Sequence, residues 1–511
     1  MKKYYILITM CLLFTAKAQA QNHPDLIELG GLFNEIDLML QDDTIICTNS
    51  DEGEFYFLEV LHLPKRLQNN TLNKILIFAD SSLYSLCEYR IRRYAYDIYY
   101  VYGCEIKMTV IKGETCVDIR NQVLNDSTNL DGVVFIGDIA AALYEGNDVF
   151  NNRSYSWLCD MYYMDLDVTW NDSDHDGIYD HYNGGFNPEV FVGRICAKNV
   201  GNGSDELELF EKYMDKNHAF WLGHRKVNKK YGLSYTNASW SGSIDLIDGI
   251  DSLYDATNCE KITSSNSDFC ADDYLNRLTN DSYEFIQLAS HSYPNEHIFD
   301  SLVLNSSNVY DTLDVYIHDS TIYANGVNAI GMNLFCCQAC KWVCDGYIGG
   351  GYVYGPDSFV LSLIGSTKTG SMLNVRNFYT PLSNGKTMGQ AFVDWWRNGN
   401  SYYTMSNIQK ISWYFGLTIV GDPLANFYHY TNSTCQDIIT LTTYDNTNSP
   451  LSYYLASEKI QIPSSASFVI PVKDHCILNA PTVEIQGEFF CPRLSTLEIL
   501  NEGCQDNCDE E

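Results

Sequence analysis

The apolar run Ala329–Phe335 ends abruptly in Cys336 and Cys337, inside the stretch IGMNLFCCQACKW. Upstream, Glu284–Ala289 (EFIQLA) runs into Ser290-His291-Ser292. Each is a short buried strand leading into a loop. If the two strands are neighbours, a cysteine and a histidine meet at one sheet edge. The imidazole then helps to form the thiolate, and the thiolate attacks a carbonyl.

The cysteines allow other chemistry. Cys336, Cys337, Cys340 and Cys344 lie close together, and CQAC has the spacing of a redox or zinc pair. Structural zinc sites more often come as two separated pairs, so the nucleophile reading is preferred. A disulfide among Cys336, Cys340 and Cys344 is the other alternative. His297 competes with His291 for the base, but no strand precedes it.

A cation loop is the second signal. Asp172-Ser-Asp174-His-Asp176-Gly177-Ile178-Tyr-Asp180 follows the first nine positions of a D-x-D-x-D-G calcium loop. Asp172, Asp174 and Asp176 supply carboxylates, Ile178 a carbonyl, and Asp180 acts directly or through water. Position 12 is Asn183, not Glu, and no helix pair flanks the loop. This points to an isolated structural calcium site, with Asp165 and Asp167 as further candidate ligands. The bland alternative is an acidic surface turn. Gly385-Lys386-Thr387 is not a P-loop, because Thr380 stands where its first glycine belongs, and there is no HExxH.

The surrounding elements alternate. Lys74–Ala79, Glu105–Ile111, Gly132–Gly137 and Pro188–Arg194 read as strands. Ser82–Tyr100, Cys116–Leu124 and Asp205–Trp221 read as helices. A second unit repeats the pattern: Tyr231–Tyr235, then the His strand, the Cys strand, Phe359–Gly365 and Leu417–Asp422, with helices at Ser243–Tyr254, Asp272–Leu278 and Lys386–Arg397. Strand–helix alternation predicts α/β architecture with parallel sheets. Beyond about Tyr430 short alternating segments follow without helices, which predicts a small all-β domain, a sandwich or a solenoid. The expected organisation is a signal peptide (1–20), a pre-region (21–65) with strand-like pieces at Thr44–Cys47 and Glu54–His62, two α/β units (66–225 and 226–428) and the all-β module (429–511).

Lys2 and Lys3 precede the apolar run Tyr4–Thr15, and Ala16, Ala18 and Ala20 follow, as in an export signal cleaved after Ala20. No later run approaches the ~20 apolar residues that span a bilayer. The chain is therefore expected to be secreted or held at the cell surface, with the C-terminal module as the attachment candidate. The net charge of -33 and the lack of a basic patch make nucleic acid a poor partner. Cys11 leaves with the signal, so the remaining odd number of cysteines fits a disulfide framework plus one free thiol.

From Leu72 to Phe427 the chain resembles the gingipain-like cysteine peptidases, which share the caspase-like α/β fold. The resemblance rests on ordered blocks: Phe135-Ile-Gly-Asp138, Asp160–Asp167, Pro188–Arg194, the His strand, the Cys strand, Ile364–Gly370 and Val420–Leu424. It implies two side-by-side sub-domains followed by a β domain. It also implies His291 as the base, Cys337 as the nucleophile with Cys336 as runner-up, and an oxyanion hole from the N–H groups of Ser292 and Cys337. Ser292 replaces the glycine usual after the histidine, and Cys340 stands where a small residue is common. The expected activity is a peptidase acting on protein or peptide substrates. The alternatives are an inactive binding protein of the same fold, and a transpeptidase using the same dyad.

Overall fold

The structure is a computed structural model. It describes residues 56–65, 72–201, 203–221, 230–263, 270–304, 310–399, 405–427, 436–442, 451–470, 475–491 and 496–500. The export signal, the strand expected at Thr44–Cys47 and the extreme C-terminus lie outside the described residues.

One eleven-stranded sheet organises the molecule. Its strands are β1 (Tyr56–Leu63), β2 (Lys74–Asp80), β3 (Glu105–Lys112), β4 (Gly132–Ile136), β5 (Phe191–Ile195), β6 (Lys230–Thr236), β7 (Cys259–Thr263), β8 (Tyr283–Ala289), β9 (Gly331–Phe335), β10 (Ser362–Ser366) and β11 (Leu417–Gly421). Their order across the sheet is β1-β3-β2-β4-β5-β11-β10-β9-β8-β6-β7. All neighbours are parallel except β1 with β3 and β10 with β11. Strands β4, β5 and β8 to β11 are buried along their whole length. Such runs are near-continuously apolar because helices cover both faces of a parallel sheet.

The mixed α/β architecture with a mostly parallel sheet agrees with the sequence. The two expected units, however, share one sheet and one apolar core running from Leu61 to Phe427. The joint is β11. It pairs antiparallel with β10 from Ser362↔Gly421 to Ser366↔Leu417. It meets β5 in parallel through Val420↔Arg194. Consequently β2 to β5 and β11 run one way, and β6 to β10 run the other.

Buried polar contacts fasten this joint. Just past β11, the Asp422 carboxylate accepts from Tyr94 Oη at 2.7 Å and Asn217 Nδ2 at 2.9 Å. Those residues belong to α1 (Ser81–Tyr102) and α3 (Glu206–Trp221). Arg194 of β5 donates through Nη2 to Asp160 Oδ1 at 2.8 Å, and Thr418 of β11 donates to Asp160 Oδ2 at 2.7 Å. The helix between them in sequence, α2 (Cys116–Asn125), starts at a capping box formed by Thr115 and Asp118.

Two local features escape the periodicity argument. After β8 the chain builds a three-stranded antiparallel sheet from His291–Tyr293, Glu296–Leu304 and Tyr310–His318. Leu143–Asp148 and Arg153–Leu158 form a hairpin. From Gln436 onward the five-stranded sheet pairs entirely in parallel, and Ile460, Phe468, Cys476 and Leu478 are buried in a cluster of their own.

Candidate active site

Strands β8 and β9 are parallel neighbours in register from Phe285↔Gly331 to Ala289↔Phe335. The pairing persists one step further, where Ser290 N donates to Phe335 O at 3.2 Å. His291 and Cys337 therefore leave the same sheet edge at matching positions. Cys337 is partly buried and His291 is exposed. No hydrogen bond joins the two side chains in this arrangement.

The His291 ring lies 5.5 Å, centroid to centroid, from the ring of Trp240. Trp240 also packs edge-on against Phe335 at 5.1 Å. It stands in a turn after β6 that is tied to β8 by Asn237 N donating to Ala289 O at 2.8 Å. One indole thus supports the histidine and backs the strand that carries the cysteines. Ser292 is buried and faces His297 across the hairpin. The Cys337 N–H donates to no backbone carbonyl among the described residues.

Cys336 is a different kind of thiol. It is buried, lies 3.4 Å from Ser290 Oγ, and burial pushes it up to about 12. Such a thiol is inert packing. His297 sits on a strand after all, at a fully buried site. Neither of its ring nitrogens has a partner, and burial pulls it down to about 3. It is a neutral core histidine.

The electrostatics around Cys337 involve residues to which the sequence reading gave no role. Burial raises the Cys337 thiol, and the nearby Asp148 adds to this. The Gly370 N–H and the Lys368 ammonium oppose it. Lys368 follows β10 and is almost wholly buried, with its pKa lowered to about 8 mainly by burial. Its Nζ donates to the carbonyls of Thr369 and Ser412, stands 4.0 Å from Asp148 Oδ2, and lies over the Trp157 ring at 4.7 Å. Asp148 in turn accepts from Phe150 N, Asn151, Tyr155 Oη and Ser412 Oγ. The block Ile364–Gly370 held the clue: an apolar strand followed by a lysine in a Ser/Thr/Gly loop.

Gly370 has φ +128, and a Cβ there would lie 1.9 Å from Trp413 O. Only glycine can bring this N–H to the thiol.

The expected disulfide framework is absent among the described residues: Cys87, Cys104, Cys116, Cys159, Cys196, Cys259, Cys336, Cys337, Cys340, Cys476 and Cys491 are free thiols. Cys340 is packed beneath Gly349 and Gly365 rather than bonded to Cys337.

The acidic loop folds with Gly177 at φ +92. Asp172 turns inward and accepts from His175 N at 2.7 Å, Asp176 N at 3.2 Å and Gly177 N at 2.9 Å. Asp180 accepts from Ser173 N and Oγ at 3.2 and 3.0 Å. Ile178 donates its N–H to Asp176 Oδ1 at 2.8 Å. The carboxylates that converge within 4.8 Å are instead Asp174, Asp176 and Glu145, the last from the neighbouring hairpin. Glu145 arrives because Tyr144 bridges in parallel to Tyr179. Burial and the surrounding Asp176, Asp174, Asp180 and Asp172 raise the Glu145 carboxyl. The donors of this cluster are all carboxylate oxygens, which suit a hard cation.

A cavity of about 400 Å³ lies against this loop, lined in part by Leu143, Leu158, Asp172, Gly177, Lys198 and Trp342. It contains neither dyad residue, and Lys198 there pairs with Asp138. No helix among the described residues is long and apolar enough to cross a membrane. No protein-family model and no curated protein matches this chain.

Proposed function

We propose that the protein is an exported cysteine endopeptidase of the gingipain-like, caspase-like kind. The observation that supports this most is the register of β8 and β9, which delivers His291 and Cys337 to one edge from adjacent strands. Cys337 attacks the peptide carbonyl. His291 takes the thiol proton and returns it to the leaving amine, and water then releases the acyl group. The N–H groups of Cys337 and Ser292 receive the oxyanion. Gly370 and Lys368 stabilise the thiolate against burial. Calcium held by Glu145, Asp174 and Asp176 keeps the acidic loop in place. The parallel β-stack beyond Gln436 is a solenoid-like module that serves surface attachment.

A second reading is a non-catalytic binding protein. It is favoured by the raised Cys337 thiol and by the absence of a His291–Cys337 hydrogen bond. Hydrolysis of a mixed fluorogenic peptide library, with calcium and a mild reductant, separates the two. Cleavage by wild type that disappears in Cys337→Ala and in His291→Ala supports the peptidase. No cleavage, together with a Cys337 that resists iodoacetamide, supports the binding protein.

A further inference from the structure

The geometry points to a second cation site, separate from the Asp174/Asp176 loop, in which Asp165, Asp167 and Glu189 bind calcium. We infer it from three observations. The first is convergence: one carboxylate oxygen from each of the three lies within 4.8 Å of the others. The residues come from two segments that the backbone holds together, since Glu189 N and Val190 N both donate to Met164 O, at 3.0 and 3.2 Å.

The second is an unanswered buried oxygen. Asp165 is 1% exposed. Its Oδ2 accepts from Tyr182 Oη at 2.5 Å, while its Oδ1 is buried with no hydrogen-bond partner. Buried carboxylate oxygens are normally hydrogen-bonded or bound to a metal. Glu189 uses Oε2 to accept Leu166 N at 2.6 Å, which fixes its carboxylate beside Asp165. Asp167 is exposed and opens the cluster to solvent, which gives an ion a way in.

The third is that no guanidinium binds these carboxylates directly, although the Arg120 charge acts on Asp165 and Glu189 from nearby. Arg120 donates to the carbonyls of Tyr162, Leu166 and Val168. Arg397 donates to the carbonyls of Pro188 and Glu189. Neither forms an ion pair with the three carboxylates. An all-oxygen donor set of three carboxylates, open to water on one side and drawn from two loops, suits calcium better than the strict octahedron of magnesium. A bound ion would tie the Asp165–Asp167 segment to the residues that lead into β5.

The test is calcium binding to the full exported chain, measured by isothermal titration in metal-free buffer. Four proteins are compared: wild type, the loop variant Asp174→Asn/Asp176→Asn, Asp167→Asn and Glu189→Gln. The expected result is that the loop variant keeps a calcium site, which Asp167→Asn and Glu189→Gln each weaken by about tenfold or more. Retention of wild-type binding by both Asp167→Asn and Glu189→Gln overturns the site, as does a loop variant that binds no calcium. Binding of magnesium but not calcium at this site overturns the choice of ion. If Glu189→Gln loses its circular dichroism, the exposed Asp167→Asn decides alone.

Discussion

Gly370 presents its backbone N–H to the thiol of Cys337. A hydrogen bond from a fixed amide stabilises a thiolate without demanding any side-chain order. Gly370→Ala forces a methyl group against Trp413 O in a backbone region that alanine avoids. The variant is expected to alkylate at Cys337 more slowly than wild type at neutral pH, and to melt lower. Iodoacetamide kinetics followed by peptide mass spectrometry, beside a thermal melt, measure both. Unchanged alkylation would remove Gly370 from the thiolate's support.

Lys368 acts on the same sulfur through its charge. Lys368→Met removes the cation, so the thiolate is less favoured and the pH profile of alkylation should move upward by about one unit. The same change leaves Asp148 without its buried counter-charge and should cost about 3 kcal/mol of stability. Adding Asp148→Asn should recover part of that loss, and it should also draw the alkylation profile back toward neutral pH, because Asp148 raises the thiol. A profile that stays put in Lys368→Met would show that the ammonium does not act on Cys337.

Cys336 and Cys337 are separable by substitution. Cys336→Ala deletes a buried sulfur packed on Ser290 and should cost about 1 kcal/mol while keeping peptide cleavage. Cys337→Ala should abolish cleavage with little change in melting temperature. The reverse pattern would move the nucleophile to Cys336.

His297 makes stability depend on pH. Its folded-state pKa is lowered to about 3, against an ordinary value of 6.5. Below about pH 6.5 the unfolded chain takes up a proton that the folded chain refuses, so stability falls with falling pH and levels off near the folded pKa. At pH 4.5 this amounts to about 3 kcal/mol. Urea titrations of wild type and His297→Leu at pH 7.5 and 4.5 should show a smaller acid loss in the variant. Equal losses would mean that other groups carry the acid sensitivity.

The strands that carry the site were legible because they are buried on both faces. Runs such as ILIFA in β2 and NLF in β9 admit few other readings once helices alternate with them. The junction was not legible. β11 lies some two hundred residues from β5 in sequence, and no local pattern announces which strand will be its neighbour. Lys368 was overlooked for a related reason: a lysine in a polar loop reads as solvated, and its burial against Trp157 and Ser412 follows from tertiary packing alone. The acidic stretch was read as a calcium loop with ligands from Asp172 to Asp180; in the fold Asp172 and Asp180 are engaged by backbone and Ser173 donors, and Glu145 enters from a hairpin that periodicity did not reveal. Trp240 likewise reached His291 only through the fold.

The place of β11 in the sheet also bears on how the chain matures. It is the last of the eleven strands to be synthesised and the only one that touches both β5 and β10. A chain emerging from a ribosome or a translocon can assemble β2 to β5, and later β6 to β10, as two separate half-sheets with an exposed edge each. They cannot be joined until Gly421 is out. During that interval β5 and β10 present unpaired edges to other chains, and the emergence of β11, rather than completion of either half, sets the moment at which the two halves become one sheet.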